Sequence, residues 1–362
     1  MDSKKGVIEI QFNWIFILVA GALILILFVV IVQRQGSVSN QSRDIDIRSK
    51  LGTILTGAKQ STDTTFVIDI PSKTEIDFGC NGYSVGGTSP FQLGESFSPG
   101  KIKSVSNNII LGSSDWSLPY KIANFQYITS PDIRYVIVSG SIYQGKLGEI
   151  LPQNLTISIG DPSSVVDNNN YKIRYILISD KDGNGADTLP AISDNSIKKM
   201  KDEDVTAIHI TVSKEGSDNP FDGYGEVEFY TKSGNSFPPA SSPAQFGYIK
   251  KESLVGAIIS DNNETYNCVM NRAFRQFNIT TNLYLKKADQ LKSLYSSGGA
   301  FEFQCNTPGD EYSNAVNLLT NMTTPDVTNS KIYDYAYKSE TTGTSLKISN
   351  IELLKASCPL IY

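Results

Sequence analysis

An acidic loop in the middle of the chain has the residue types and the spacing of a metal site. The loop reads DKDGNGAD over residues 180–187, and its oxygen-bearing side chains are those of Asp180, Asp182, Asn184 and Asp187. Carboxylate and amide oxygens at alternate positions around a glycine turn suit the oxygen shell of Ca²⁺. These four residues are therefore predicted to bind calcium, and the sequence suggests no other cofactor.

The loop is similar to the calcium loops of EF-hand-like and thrombospondin-type repeats, but it departs from the EF-hand in two ways. Counted from Asp180, the twelfth position is Ala191, where the EF-hand has a bidentate glutamate. The loop also follows a predicted strand instead of a helix. Asp187 can supply the missing carboxylate, as in the thrombospondin-type loop. The alternative interpretation is a solvated turn rich in Asp, Gly and Asn.

Catalytic motifs are weak in this sequence. Ser84 lies in a GYSVG string, but a nucleophile elbow needs a helix directly afterwards, and GTSP follows instead. The only histidine available as a base is His209, which lies in a predicted strand between apolar neighbours. A single histidine also excludes metal sites built from two or more. No phosphate-binding glycine motif is present, so no catalytic residue is predicted and the protein is interpreted as a non-enzyme.

The cysteines indicate the redox compartment. They are Cys80, Cys268, Cys305 and Cys358, and none forms the close pair of a zinc or thioredoxin motif. An even number in an external domain predicts two disulfides, for which three pairings are possible. We favour Cys268–Cys305, because both flank a predicted helical segment, and this leaves Cys80–Cys358. The alternative is four free thiols in a cytosolic protein.

The elements that must position these residues begin with a membrane span. From Ile15 to Val32 the chain has no charged or strongly polar side chain. As a helix this run is ~27 Å long, close to the hydrocarbon thickness. Residues 15–32 are therefore predicted to cross the lipid bilayer, with residues 1–14 in the cytoplasm. A buried core helix and a cleaved signal peptide are the alternatives, but the run is long and uniformly apolar, and no small-residue cleavage site follows it.

The charges that flank this span are nearly balanced, so they do not decide its orientation. Long C-terminal domains are translocated largely regardless of charge, and several N-x-S/T sequons lie downstream. The chain is accordingly predicted to be a single-pass protein of the cell membrane, with its N-terminus in the cytoplasm and its C-terminal domain extracellular. The predicted glycosylation sites are Asn40, Asn154, Asn263, Asn278 and Asn321.

The start of the chain also resembles a prepilin-peptidase site. In that pattern a basic stretch ends in glycine, and an early glutamate of the following helix neutralises the new amino terminus of a neighbouring subunit. Here Lys5 and Gly6 precede a helix that carries Glu9. The fifth position after Gly6 is Gln11, where the pattern has glutamate. A juxtamembrane polar segment is the alternative interpretation.

The rest of the chain alternates strands with helical stretches. Residues 33–62 predict a membrane-proximal stalk helix, and residues 63–118 predict a β-rich part. Residues 119–362 contain apolar strands such as 133–138 and 171–178 that are separated by helical stretches, which predicts βαβ units. The expected fold class is α/β, with a mixed, mostly parallel sheet and flanking helices, as an ectodomain on the N-terminal transmembrane helix.

Composition and charge limit the classes of partner that the protein is expected to bind. The formal net charge is -5 and the sequence pI about 5.1, which opposes a nucleic-acid partner because phosphate recognition needs a basic face. Hydrophobic residues make up 40% of the chain, enough for a sizeable core. The expected partners are the lipid bilayer and a protein or glycan of the envelope.

Five segments carry a resemblance that spans most of the chain: KKGVIEIQFNWIFILVAGALI, FGCNGYSV, DWSLPYKIANFQYITSPDIRYVIV, KESLVGAIISDNNETYNCVMNRAF and SCPLIY. Together they resemble an uncharacterised family of N-terminally anchored, single-pass surface proteins of small-genome archaea. The resemblance implies topology and compartment, and it transfers no catalytic residue. The sequence thus predicts a membrane-anchored extracytoplasmic cell-envelope protein that acts as a non-enzymatic binding or adhesion module. The alternatives are a pilin-like filament subunit and a membrane-tethered hydrolase of unrecognised type.

Overall fold

The computed structural model describes most of the chain. The described residues are 6–71, 74–88, 90–92, 94–103, 105–138, 141–159, 171–180, 182, 185, 189, 192, 195–213, 219–240, 245–296, 305, 311–322 and 332–362. Their side chains are described except at residues 6–16, 32–41, 141–142, 296, 332–341 and 344.

The described residues form seven α-helices and thirteen strands. The helices are α1 (Gly6–Ala58), α2 (Ser141–Ile150), α3 (Asn195–Lys199), α4 (Lys250–Ile259), α5 (Asn263–Ser296), α6 (Glu311–Met322) and α7 (Ile332–Lys355). The strands are β1 (Thr64–Asp69), β2 (Glu75–Gly79), β3 (Gly82–Val85), β4 (Ser96–Phe97), β5 (Lys101–Lys103), β6 (Asn108–Ser117), β7 (Lys121–Thr129), β8 (Ile133–Val138), β9 (Thr156–Ile159), β10 (Lys172–Asp180), β11 (Val205–Val212), β12 (Tyr224–Thr231) and β13 (Gln245–Ile249).

A mixed α/β architecture is confirmed. The six-stranded sheet has the order β13-β12-β11-β10-β8-β9. Strands β9, β8, β10 and β11 are parallel to one another, whereas β12 pairs antiparallel with both β11 and β13. All nine residues of β10 are buried, as expected for a central parallel strand that is covered on both faces. Helix α2 connects β8 to β9, and α3 lies between β10 and β11 along the chain, so these are the predicted βαβ units.

Two further sheets are formed mainly by the segment before residue 130. One is four-stranded with the order β1-β6-β7-β4, and the other is three-stranded with the order β3-β2-β5. Strands β6 and β7 pair antiparallel along their length. The predicted boundary between the β-rich part and the α/β core, after residue 118, falls inside this hairpin.

The cores form layers. The largest hydrophobic cluster lies between the six-stranded sheet and the four-stranded sheet, with α4 and α5 between them, and includes Phe97, Trp116, Ile208 and Phe274. A second cluster joins the other face of the four-stranded sheet to α1 and the three-stranded sheet. A third, smaller cluster lies on the outer face of the six-stranded sheet beneath α3.

Helix α1 is continuous from the apolar run into the folded domain. Its buried residues Ile47, Leu51, Leu55 and Ala58 recur every three or four positions and pack in the second cluster, as an amphipathic helix should. The predicted stalk helix is therefore the C-terminal half of this same helix. Across the part of the chain that the structure describes, no helix is both long enough and apolar enough to cross a membrane.

The cysteines form two disulfides, Cys80–Cys268 and Cys305–Cys358, so the predicted pairing is wrong. The physical reason is the length of α5, which begins at Asn263 and continues to Ser296. From Cys268 to the end of that helix is ~42 Å at 1.5 Å per residue, whereas nine further residues reach back at most ~30 Å. Cys305 therefore cannot return to Cys268 and instead joins Cys358 after α7.

Candidate functional site

The predicted calcium loop begins at the carboxyl end of the parallel strands. Asp180 ends β10 and is buried; one carboxylate oxygen, Oδ2, accepts from the Tyr143 hydroxyl at 3.0 Å, and the other accepts from the Asp182 backbone N–H at 3.0 Å. Asn184 and Asp187 lie outside the described residues. Among the residues that are described, no three His, Cys, Asp or Glu side chains come together as a metal site. Calcium binding by this loop stays a prediction.

The serine and histidine that the sequence offers for nucleophilic chemistry have different neighbours. Ser84 lies in β3, the second strand of a hairpin. His209 lies in β11, and its Nε2 atom is hydrogen-bonded to Ser179 Oγ at 2.8 Å. The imidazole is thus a polar group on the outer face of the six-stranded sheet.

The predicted glycosylation sites differ in exposure. Asn154 and Asn321 are exposed. Asn263 and Asn278 are half-buried on α5, and Asn278 Oδ1 is shielded from solvent. The side chain of Asn40 lies outside the described part of α1. Use of any of these sites stays a prediction.

A concave, acidic cleft lies where the four-stranded sheet meets α2 and α4. Its volume is about 260 Å³. We call it the acidic cleft, and its lining residues are Asp63, Thr64, Thr65, Gly112, Ser113, Ser114, Tyr127, Glu149, Ile150, Leu151, Pro152, Gln153, Lys251, Glu252 and Val255. Three carboxyl groups therefore face one ammonium group, so the cleft favours neutral or cationic ligands over anions.

Short hydrogen bonds fix the floor of the acidic cleft. Ser114 Oγ donates to Asp63 Oδ1 at 2.7 Å, and Ser113 Oγ donates to the Ser61 carbonyl at 2.8 Å. Gly112 permits the close approach of the wall, because a Cβ atom there would stand 3.3 Å from both Pro152 and Tyr127. These contacts hold hydroxyl and carboxylate groups in fixed positions around the opening.

Glu252 is the unusual acid of the cleft. Its Oε2 atom is buried and has no hydrogen-bond partner among the described residues. Burial raises the pKa of the Glu252 carboxyl, and the charges of Lys250 and Lys251 oppose this only in part. Burial also raises the pKa of the Tyr127 hydroxyl well above its ordinary value, and the charges of Glu252 and Asp63 raise it further. The Glu252 Oε2 atom is therefore available to accept a hydrogen bond from a ligand hydroxyl.

The acidic cleft is suited to a hydroxyl-rich group of about the size of one sugar ring, since it combines serine and threonine hydroxyls with carboxylate oxygens that accept hydrogen bonds. Sequence reasoning missed Glu252 and Glu149. Each lies on a helix with no catalytic motif around it, and only the tertiary arrangement of α2, α4 and β6 around the cleft brings them together. No signal in the sequence alone identifies them.

Comparison with known proteins identifies no relative of this chain. No family model matches the chain, and no match is found among curated proteins or solved structures.

Proposed function

We propose that this chain is a membrane-anchored protein of the cell envelope, and that its extracytoplasmic domain binds a hydroxyl-rich envelope component without catalysing a reaction. The observation that carries the proposal is the exposed apolar half of α1. Within residues 17–31, twelve large hydrophobic side chains are exposed, from 42% at Ile31 to 67% at Ile17. A surface this apolar is unstable in water and requires a covering.

A lipid bilayer is the covering that best fits this half of α1. The described apolar side chains of residues 17–31 surround the helix on all sides instead of forming one stripe. This described stretch is by itself too short for a membrane span, but the sequence continues the apolar run to Ile15 and Val32. A helix that is apolar all round belongs in a lipid or a protein interior. No charged side chain interrupts the run, as insertion into hydrocarbon requires.

The two disulfides support an extracytoplasmic domain. Such bonds persist in oxidising compartments and are rare in reducing cytosol. Both bonds join segments distant in sequence, with separations of 188 and 53 residues. We therefore place the folded domain on the outer side of the membrane, in agreement with the topology that the sequence resemblance implies.

The acidic cleft supports a binding role for this domain. Its hydroxyl and carboxyl groups match the hydroxyls of a carbohydrate, which is a common chemistry of cell envelopes. Its negative balance excludes acidic sugars and selects neutral or amino sugars. A glycan of the envelope is therefore the partner that we propose.

The topology can be tested with an introduced cysteine. Ser236 is exposed in a tight turn after β12, so we expect Ser236→Cys to react with a membrane-impermeant thiol reagent on intact cells. Ser3→Cys is the matched control, which should react only after lysis because residues 1–14 are proposed to be cytoplasmic. Labelling of Ser3→Cys but not Ser236→Cys on intact cells would show the opposite orientation, and carbonate extraction of the protein from membranes would exclude the anchor.

A pilus-like subunit is the second candidate function. The observation that favours it is that α1 begins at Gly6 and continues for 53 residues, first apolar and then built into the domain core. The apolar half would then be covered by the same helix of neighbouring copies. Amino-terminal sequencing decides between the candidates: a mature chain that starts at Val7 supports the filament, and an uncut chain supports the anchored binding protein.

A further inference from the structure

A second cavity lies at the end of the six-stranded sheet where the parallel strands β10 and β11 begin. Its volume is about 310 Å³. We call it the Lys172 cavity, and its lining residues are Gly100, Lys101, Lys172, Glu203, Asp204, Thr206, Thr231, Asp261 and Asn262. They come from β5, the first residues of β10 and β11, the end of β12, the turn before β11 and the turn between α4 and α5. Six segments of the chain thus converge on it.

A buried ion pair lies in this cavity. Lys172 Nζ donates to Asp261 Oδ2, and the two side chains are only 4% and 11% exposed. The same oxygen accepts from the Gly100 backbone N–H at 2.9 Å. An ammonium has three N–H donors, and the described residues use one of those of Lys172. A buried charge with unused donors is unfavourable unless another acceptor reaches it.

Thr206 adds a second unsatisfied group. Its side chain lines the Lys172 cavity and it is 2% exposed, yet Oγ1 has no hydrogen-bond partner among the described residues. Buried hydroxyls without a partner are rare in folded proteins. The inner part of the cavity therefore offers N–H and O–H donors that protein atoms leave unused, and these suit the oxygens of a carboxylate.

The outer part of the cavity has the opposite character. Glu203 is exposed, and Asp204 beside it is half-exposed. The basic partner of Glu203 is Lys201, which is 3.7 Å away and lies in solvent, where an ion pair contributes little.

Lys101 also lines the cavity, but its ammonium is paired with Asp77 at 3.2 Å and Glu75 at 3.8 Å. The two carboxylates at the rim therefore favour an ammonium group. The cavity therefore presents donors inside and acidic groups outside.

Arg174 makes this arrangement rigid. Its guanidinium is buried and donates to the backbone carbonyls of Ala257 at 3.2 Å, Ile258 at 3.3 Å and Asp261 at 3.1 Å. These bonds fix the end of α4 and hence the backbone from which the Asp261 side chain projects. A binding site gains affinity when its groups are held before the ligand arrives.

We propose that the Lys172 cavity binds a free α-amino acid. The ligand carboxylate accepts from Lys172 and Thr206 at the inner end, and the ligand ammonium faces Glu203 and Asp204 at the rim. The volume of about 310 Å³ suits a molecule of this size. This site is separate from the acidic cleft and does not depend on the membrane anchor.

The test uses the full chain in detergent micelles with its disulfides intact. The twenty L-amino acids are added one at a time at millimolar concentration, and the Tm is measured, with acetate and methylamine as probes of each charge alone. We expect at least one amino acid to raise the Tm in a saturable way beyond either probe, since a ligand that binds only the folded state stabilises it. If no amino acid exceeds the two probes, the proposal is wrong.

Two variants then locate the site. Thr206→Val keeps the shape of the side chain and removes a hydroxyl that has no partner among the described residues. The Tm without ligand should therefore not fall. The affinity for the amino acid should weaken about tenfold. Glu203→Gln removes a rim charge and should weaken binding several-fold, whereas Glu352→Gln, half-exposed on α7 and outside the cavity lining, should leave it unchanged. Unchanged affinity in both Thr206→Val and Glu203→Gln would place the amino acid elsewhere. Lys172 is left intact because its loss would strand the Asp261 carboxylate and unfold the domain.

Discussion

Glu252 makes the acidic cleft sensitive to pH. Its carboxyl pKa is raised by burial, so the folded protein holds this proton more tightly than the unfolded chain does. As the pH rises from the ordinary carboxyl pKa through the raised one, the unfolded chain loses its proton first and the free energy of unfolding falls. The ionised carboxylate at neutral pH is therefore a source of instability in the folded domain.

We expect Glu252→Gln to raise the Tm at neutral pH and to leave it unchanged at about pH 3, below the ordinary glutamate pKa. Thermal unfolding of both proteins over this pH range measures the difference. Glu149→Gln is the matched control, since Glu149 lines the same cleft but is exposed, and this substitution should change the Tm at neutral pH little. A constant difference between Glu252→Gln and the parent at every pH would contradict this account.

The calcium prediction also belongs to single residues. If the loop from Asp180 binds Ca²⁺, millimolar Ca²⁺ should raise the Tm and Mg²⁺ should substitute poorly. Asp182→Ala should abolish the shift and change the metal-free Tm little. Asp180→Ala should instead destabilise the metal-free protein by about 1–3 kcal/mol, because it removes the buried carboxylate to which the Tyr143 hydroxyl donates. A Tm that is indifferent to Ca²⁺ would leave the loop as a solvated turn.

The sequence does contain a pattern that indicates the buried basic residues at and beside the Lys172 cavity. Lys172 and Arg174 occupy alternate positions of β10, on the face that continues with Ile176 and Ile178. Because alternate residues of a strand share one face, two basic side chains ahead of buried isoleucines indicate buried cations. Their partner Asp261 lies 89 positions away from Lys172, and only the tertiary fold identifies it.

At the scale of elements, strands with regular apolar patterns were predictable and strands with buried polar residues were not. The strand at 133–138 has the predicted bounds, whereas β6 and β7 were missed. Their alternation is masked by polar residues that the fold satisfies internally: Gln126 Nε2 donates to the Leu55 carbonyl at 2.6 Å, and Ser96 Oγ donates to Gln126 Oε1 at 2.8 Å. Within the predicted β-rich part, residues 75–85 form the hairpin of β2 and β3, a pairing that the sequence did not indicate.

The packing of α4 on the four-stranded sheet leaves no room at Gly256. A Cβ atom there would stand 2.5 Å from the Phe97 ring, which is fully buried. We expect Gly256→Ala to lower the free energy of unfolding by about 1–3 kcal/mol through overpacking. Gly148→Ala on α2 is the matched control: nothing lies within 4 Å of its Cβ position, so it should stabilise by about 0.5–1 kcal/mol. Urea unfolding midpoints measure both, and equal effects of the two substitutions would contradict the packing described for Phe97.

At the scale of the whole molecule, the disulfides join parts that the sequence order separates. Cys80 lies in the turn between β2 and β3, and Cys268 lies on α5, so this bond ties the small N-terminal sheet to the helical layer. Cys305–Cys358 closes the C-terminal helices. Sequence analysis predicted two bonds from the cysteine count, but the pairing required the length of α5 in three dimensions.

Peptide mapping without reductant should link Cys80 to Cys268 and Cys305 to Cys358, and the denatured protein should contain no free thiol. Replacing both cysteines of either pair by serine should lower the free energy of unfolding by roughly 2–5 kcal/mol, because each bond restricts the unfolded chain. A Cys268–Cys305 peptide, or titratable thiols in the unreduced protein, would overturn the pairing.

Helix α1 has a mechanical consequence. It is ~80 Å long at 1.5 Å per residue, and Ile47, Leu51 and Leu55 near its end are part of the domain core. A domain on a flexible tether searches a volume and absorbs tension in the tether. A domain built onto the end of a rigid helix keeps one orientation relative to that helix. A force or torque on a ligand in either cavity is therefore transmitted along α1 as a bending moment or a rotation. Load applied to the folded domain is thus delivered to the apolar half of α1.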